Sequence, residues 1–244
     1  MIEPRLTITA AASQPLNCLI TLKVGSTFLR NLVYVLDHGE PYTEIERDFP
    51  RELHSRTLTR AQLAEQVSFF VVRDPIERFF SLYFDKAIGG ADSRFPWVVD
   101  VLKKNRVFHD APDLTIDQHR ENCMSLLGYV SVRLRGKDKQ PVNPHWNKQI
   151  KSVERGIRFG LPALMLEDLD AQILRIADGR IEGLEETIAK VQTRNRSARP
   201  IEAEDIITPE IYAKISKLYA EDIQLYDLVK TSWELNGKPP EIEL

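Results

Sequence analysis

Six consecutive residues, Val67-Ser68-Phe69-Phe70-Val71-Val72, carry no charge, and Arg73-Asp74-Pro75 follows them at once. A short run rich in β-branched and aromatic residues reads as a strand buried on both faces. Pro75 suits the first turn of a helix. Phe79, Phe80, Leu82, Tyr83 and Ile88 carry that helix onward, and Gly89-Gly90 stops it. The pattern also occurs upstream. Asn17 to Leu22 reads as a buried strand, Gly25 follows, and Ser26 or Thr27 can cap a helix. Phe28, Leu29, Leu32, Val33 and Leu36 give that helix an apolar face. Ala163 to Leu166 reads as a third strand. Helices are expected around 97–103, 116–127 and 182–191, and a last one starts at Thr208-Pro209 with Ile211, Ile215, Leu218, Leu225 and Val229 as its stripe. Strands alternating with helices predict an α/β fold. The expectation is one domain over residues 1–244, with a central, mainly parallel sheet flanked by helices.

The chain of 244 residues carries a net charge of -3, which argues against a general nucleic-acid binder and leaves room for a local basic pocket. Its two cysteines, Cys18 and Cys123, form no CxxC pair and no zinc-spaced cluster with histidine. No stretch approaches the roughly 18 apolar residues of a membrane span, and Met1 to Ala12 has no apolar signal core. A cytoplasmic location is expected.

A strand, a glycine-containing loop and a helix together make an anion site, because amide N–H groups and the helix dipole face the ligand. Here the loop is Lys23-Val24-Gly25-Ser26-Thr27. The lysine adds charge, the two hydroxyls add donors, and the glycine admits close backbone approach. The Walker pattern GxxxxGK followed by Ser or Thr is absent, so a metal–triphosphate is not the natural ligand. By itself the loop is equally compatible with a plain strand–helix turn. Arg73 adds a second cation at the end of a strand, where open α/β sheets bind ligands. Ser81 stands eight residues on, about two helical turns. An arginine and a serine hydroxyl can hold a phosphate; local ion pairs of Arg73 with Asp74 and of Glu77 with Arg78 are the simpler alternative.

Together these segments resemble the PAPS-dependent carbohydrate sulfotransferases. Leu22 to Thr27 looks like their 5′-phosphosulfate loop. Val72-Arg73-Asp74-Pro75 through Ser81, Tyr83, Asp85 and Lys86 looks like their 3′-phosphate motif, VRDPxERxxSxYxDK. Asn143-Pro144-His145-Trp146-Asn147-Lys148-Gln149 is similar to the HWxxQ segment of the chondroitin, dermatan and HNK-1 type branch. Leu166 to Leu169 and Tyr219 to Leu228 match later blocks. The resemblance implies a P-loop-like three-layer fold, PAPS as donor, PAP as product and no metal. It implies that Lys23, Val24, Gly25, Ser26, Thr27 and Phe28 hold the 5′-phosphosulfate, and Arg73 and Ser81 the 3′-phosphate. A late basic loop with Arg194 and Arg196 would close over the nucleotide. Golgi members of the family carry a membrane anchor, and its absence here suggests a bacterial-type relative with a cytoplasmic acceptor.

Sulfuryl transfer needs charge stabilisation at the leaving oxygen, an aligned hydroxyl and a base. Lys23 is placed for the first. His54, between the two phosphate motifs, is the first candidate base, and His145 the second; Glu40, Glu44 and Glu46 stay open. Trp146 would stack on a sugar or on the adenine. Arg133, Arg135, Lys137 and Lys139 would steer an acidic acceptor. The acceptor class is a hydroxyl, most naturally on a carbohydrate. Two other readings compete: an inactive protein that binds nucleotide or glycan, and a P-loop kinase-like enzyme.

Overall fold

The computed structural model describes residues 3–43, 48–90, 93–105, 107–136, 142–192 and 201–242. In chain order the elements are β1 (Arg5–Ala10), β2 (Leu16–Leu19), α1 (Ser26–His38), β3 (Ser55–Thr59), α2 (Arg60–Ala64), β4 (Val67–Val72), α3 (Pro75–Leu82), α4 (Pro96–Asn105), α5 (Ile116–Leu134), α6 (Gln149–Arg158), β5 (Ala163–Met165), α7 (Leu169–Ala177), α8 (Leu184–Gln192), α9 (Ala203–Ile206), α10 (Pro209–Leu218) and α11 (Ala220–Asn236). The chain groups into two compact units. One takes in Met1–Arg73, Gln149–Ser197 and Leu225–Leu244; the other takes in Asp74–Lys148 and Ala198–Gln224.

The first unit holds a five-stranded sheet in the order β3-β1-β2-β4-β5. β2 pairs parallel with β4 and β4 with β5, whereas β1 is antiparallel to both β2 and β3. One strand therefore runs against the other four, and the sheet is mostly parallel, as expected. All six residues of β4 are buried, which is what a central strand covered on both faces requires. Helices α1, α6 and α7 pack on the central strands. The core joins Leu16, Cys18, Phe69, Phe70 and Val71 to Leu29, Leu32, Val153, Ile173 and Val229. Trp233 of α11 donates its Nε1–H to the Ala163 carbonyl at 2.9 Å.

Every regular element among the described residues of the second unit is a helix. Asp74 caps α3 by accepting from the amides of Ile76 at 2.7 Å and Glu77 at 3.1 Å, with Pro75 at the first position. A π-helical turn over Tyr83–Ala87 extends α3. Its core gathers Phe79, Phe80, Tyr83, Leu102, Leu126, Val130, Trp146, Ile211 and Ile215. The single last helix expected from Thr208 is two helices, broken at Tyr219 (φ -113°, ψ 30°), whose hydroxyl donates to the Trp146 carbonyl at 3.0 Å. No helix among the described residues is long and apolar enough to cross a membrane.

Candidate functional site

The loop between β2 and α1 has an unusual backbone. Lys23 and Gly25 both have left-handed φ angles, +65° and +67°. Only glycine adopts that region without cost, so the conformation at Lys23 is strained. Between them Val24 is fully buried, at 0% exposure. The core thus holds the loop by its middle residue. Gly25 is also fixed by its surroundings, because a Cβ there would lie 2.6 Å from Leu166 Cδ1. It is the N-cap of α1, with no side-chain cap and no acidic residue in the first turn. The positive end of α1 therefore carries no carboxylate of its own, which suits an incoming anion. Ser26 and Thr27 are half-buried at this end, and Phe28 is buried towards the core.

Arg73 follows β4 directly. Because β2 and β4 are adjacent and parallel, the loop and Arg73 leave the sheet at the same, carboxyl end. Arg73 Nη1 donates to the Lys23 carbonyl at 3.3 Å. The Arg73 guanidinium thus reaches the main chain of the Lys23 loop within the first unit. The main chain of Arg73 is gripped as well: its N–H donates to Gln149 Oε1 at 3.0 Å, and Gln149 Nε2 donates to its carbonyl at 2.8 Å.

His54 is not brought to this loop. Its Nδ1 lies 3.1 Å from Asp37 Oδ2, without a hydrogen-bonding angle. Asp37 sits in the last turn of α1, about 16 Å along the helix from Ser26 at 1.5 Å per residue. Tyr34, His38 and Phe49 surround the imidazole, which is 2% exposed. A base so placed cannot reach a hydroxyl at Lys23, and its sequence position gave no warning, because the polar loop folds back onto the far end of the helix. Asp37 instead clamps the β1–β2 turn, accepting from the amides of Ala12 and Ser13 at 2.7 and 2.8 Å.

Burial holds the His54 pKa below the ordinary histidine value of 6.5, outweighing the Asp37 carboxylate that raises it; His38 adds to the lowering. The folded state resists a proton that the unfolded chain accepts, so stability is present above pH 6.5 and is lost as the pH falls through the folded value. Urea unfolding at pH 7, 6 and 5 should show wild type losing up to about 1.4 kcal/mol more per pH unit than His54→Phe. Equal slopes would remove this role from His54.

In the second unit, Ser81 is half-buried on α3. His145 is half-exposed; its Nδ1 meets Asn143 Oδ1 at 2.8 Å, and its backbone N–H donates to the same oxygen at 3.0 Å. An amide oxygen only accepts, so Nδ1 is the donor of this pair. Trp146, expected to stack on ligand, is 2% exposed and packs against Phe95, Trp97 and Tyr129. Its indole is core, and the aromatic expectation at this position is corrected. Arg78 is buried and donates to the carbonyls of Asn147 at 2.9 Å and Pro144 at 3.4 Å. It fixes the turn that carries His145. Tyr83 and Lys86 of the same motif are structural too: the Tyr83 hydroxyl meets His119 Nδ1 at 2.7 Å, and Lys86 Nζ donates to the Ser93 carbonyl at 2.9 Å.

Arg194, Arg196, Glu44, Glu46, Lys137 and Lys139 lie outside the described residues. Burial pushes the Cys18 thiol up to about 12, so it is inert packing. Among the described residues no three His, Cys, Asp or Glu side chains gather as a metal site. A cavity of about 280 Å³ lies at the start of β4 and β5, the end away from Lys23. Two of its lining arginines, Arg60 and Arg180, are spent on the backbone carbonyls of Arg158, Ile176 and Ala177.

A model of the sulfotransferase family matches residues 8–228. No curated protein and no solved structure matches the chain.

Proposed function

Because the chain belongs to the sulfotransferase family, we propose that it moves a sulfuryl group from PAPS to a hydroxyl of a carbohydrate or glycan, releasing PAP. The observation that carries this reading is the pairing of Lys23 and Arg73 at the carboxyl ends of adjacent parallel strands, with Arg73 hydrogen-bonded to the Lys23 carbonyl at 3.3 Å. A donor with phosphate at both the 5′ and 3′ positions suits a loop at a helix N-terminus with a second cation beside it.

In this reading Lys23, the amides from Val24 to Phe28 and the hydroxyls of Ser26 and Thr27 take the 5′-phosphosulfate. Arg73 takes the 3′-phosphate. Ser81 enters from its motif alone, as do Arg194 and Arg196. As the S–O bond to the 5′-phosphate breaks, negative charge grows on the oxygen left behind, and Lys23 and the amides stabilise it there. The acceptor oxygen forms the new S–O bond and gives its proton to a base. His145 enters as the base from its motif alone.

Calorimetry with PAP and with adenosine 5′-phosphate tests the donor reading. PAP should bind at least about tenfold more tightly, the worth of one charge-assisted phosphate contact. Equal binding of the two would remove PAPS as the donor. Labelled PAPS should then pass its sulfate to a carbohydrate hydroxyl in the presence of a chelator. PAP binding with no transfer to any sugar would favour an inactive binding protein.

A further inference from the structure

Arg73 stands one residue beyond the last residue of β4, where the sheet no longer fixes the backbone. A guanidinium at the end of a long side chain magnifies any motion at its root. In this protein the root is held by Gln149. Its carboxamide accepts from the Arg73 N–H at 3.0 Å and donates to the Arg73 carbonyl at 2.8 Å, so one side chain supplies both halves of a missing sheet rung. The pair of bonds also fixes which end of the amide is oxygen.

Gln149 is well held itself. It is 1% exposed and opens α6, which packs on β4. Close approach of α6 to the sheet depends on Gly156: a Cβ there would lie 2.9 Å from Leu19 Cδ2 and 3.2 Å from Phe70 Cδ1. Val153 and Ile157 of α6 are buried in the same core. The line of support therefore runs from the core through α6 and Gln149 to the Arg73 backbone, and from the Arg73 guanidinium to the strained carbonyl of Lys23.

We propose that Gln149 is a positioning residue for the donor's 3′-phosphate: it fixes the Arg73 main chain so that the guanidinium meets that phosphate without first being ordered. This rests on the reading of Arg73 as the 3′-phosphate ligand. Ordering a free arginine on binding costs affinity, and a pre-set one avoids that cost. The effect is confined to ligands that use Arg73.

The test is a double-mutant cycle on the full chain, read by calorimetry with PAP and with adenosine 5′-phosphate, which lacks the 3′-phosphate. Gln149→Ala should weaken PAP binding about tenfold and leave adenosine 5′-phosphate within about twofold. In the Arg73→Ala background the same change should cost nothing further. Gln149→Met fills the volume without hydrogen bonds and should behave like Gln149→Ala; it serves if the alanine variant unfolds. An equal loss for both ligands, an undiminished loss in the Arg73→Ala background, or no loss with PAP overturns the inference. If wild type binds PAP no more tightly than adenosine 5′-phosphate, the donor reading falls, and the inference with it. That result is separate, because it appears before any variant is made.

Discussion

Lys23→Ala lowers the rate of sulfuryl transfer about a hundredfold or more and leaves the fold intact. Removing one preorganised donor from a developing oxyanion typically costs 10²–10³ in rate. The fold should not suffer, because Lys23 is half-buried and its loop is anchored by the buried Val24 beside it. Lys23→Gly sharpens the contrast. The left-handed φ of +65° is strained for lysine and natural for glycine. That variant should be as stable as wild type, or more stable by up to about 1 kcal/mol, because relief of strain offsets the added freedom of the unfolded chain. It should be as slow as Lys23→Ala. Thermal melts and transfer of labelled sulfate measure the two sides. Transfer within about threefold of wild type in either variant would take Lys23 out of the chemistry.

Arg73→Ala removes the preference for PAP over adenosine 5′-phosphate, a loss of about tenfold to a hundredfold in PAP affinity. A charge-assisted hydrogen bond contributes about 1.5–3 kcal/mol, and each 1.4 kcal/mol is a factor of ten. Binding of adenosine 5′-phosphate should fall less, and only because the Lys23 carbonyl loses its donor. Arg73→Lys should recover a minor part. An ammonium is a point charge and cannot hold the Lys23 carbonyl and a phosphate in the fixed fork of a guanidinium. Unchanged PAP affinity in Arg73→Ala would refute the assignment.

These residues were legible because their signals are local. Val67 to Val72 carries no charge, and Pro75 suits the first turn of a helix. The Lys23–Thr27 loop was legible for the same reason. β3 was not: Ser55, Arg56 and Thr57 are exposed, and the strand exists because it pairs with β1. β1 alternates buried and exposed residues but is short and begins with Arg5. The break at Tyr219 carries no glycine or proline to announce it. Gln149 and Arg78 were missed as supporting residues because their partners are backbone atoms more than 60 positions away in sequence. His54 was misplaced for a related reason: a position between two motifs in sequence says nothing about which end of α1 the intervening loop covers.

Val24 bears on how quickly a ligand can be caught. Its side chain ties the middle of the loop to the interior, so the loop's shape is set before anything binds. If the loop takes the donor's anion as proposed, its amides are set before arrival, and encounter need not wait for a rare conformer of the free protein. Sequence changes at Lys23, Ser26 or Thr27 then act mainly on how long the ligand stays. A change in the Val24 side chain, which is buried in the core, should instead govern how often arrival succeeds.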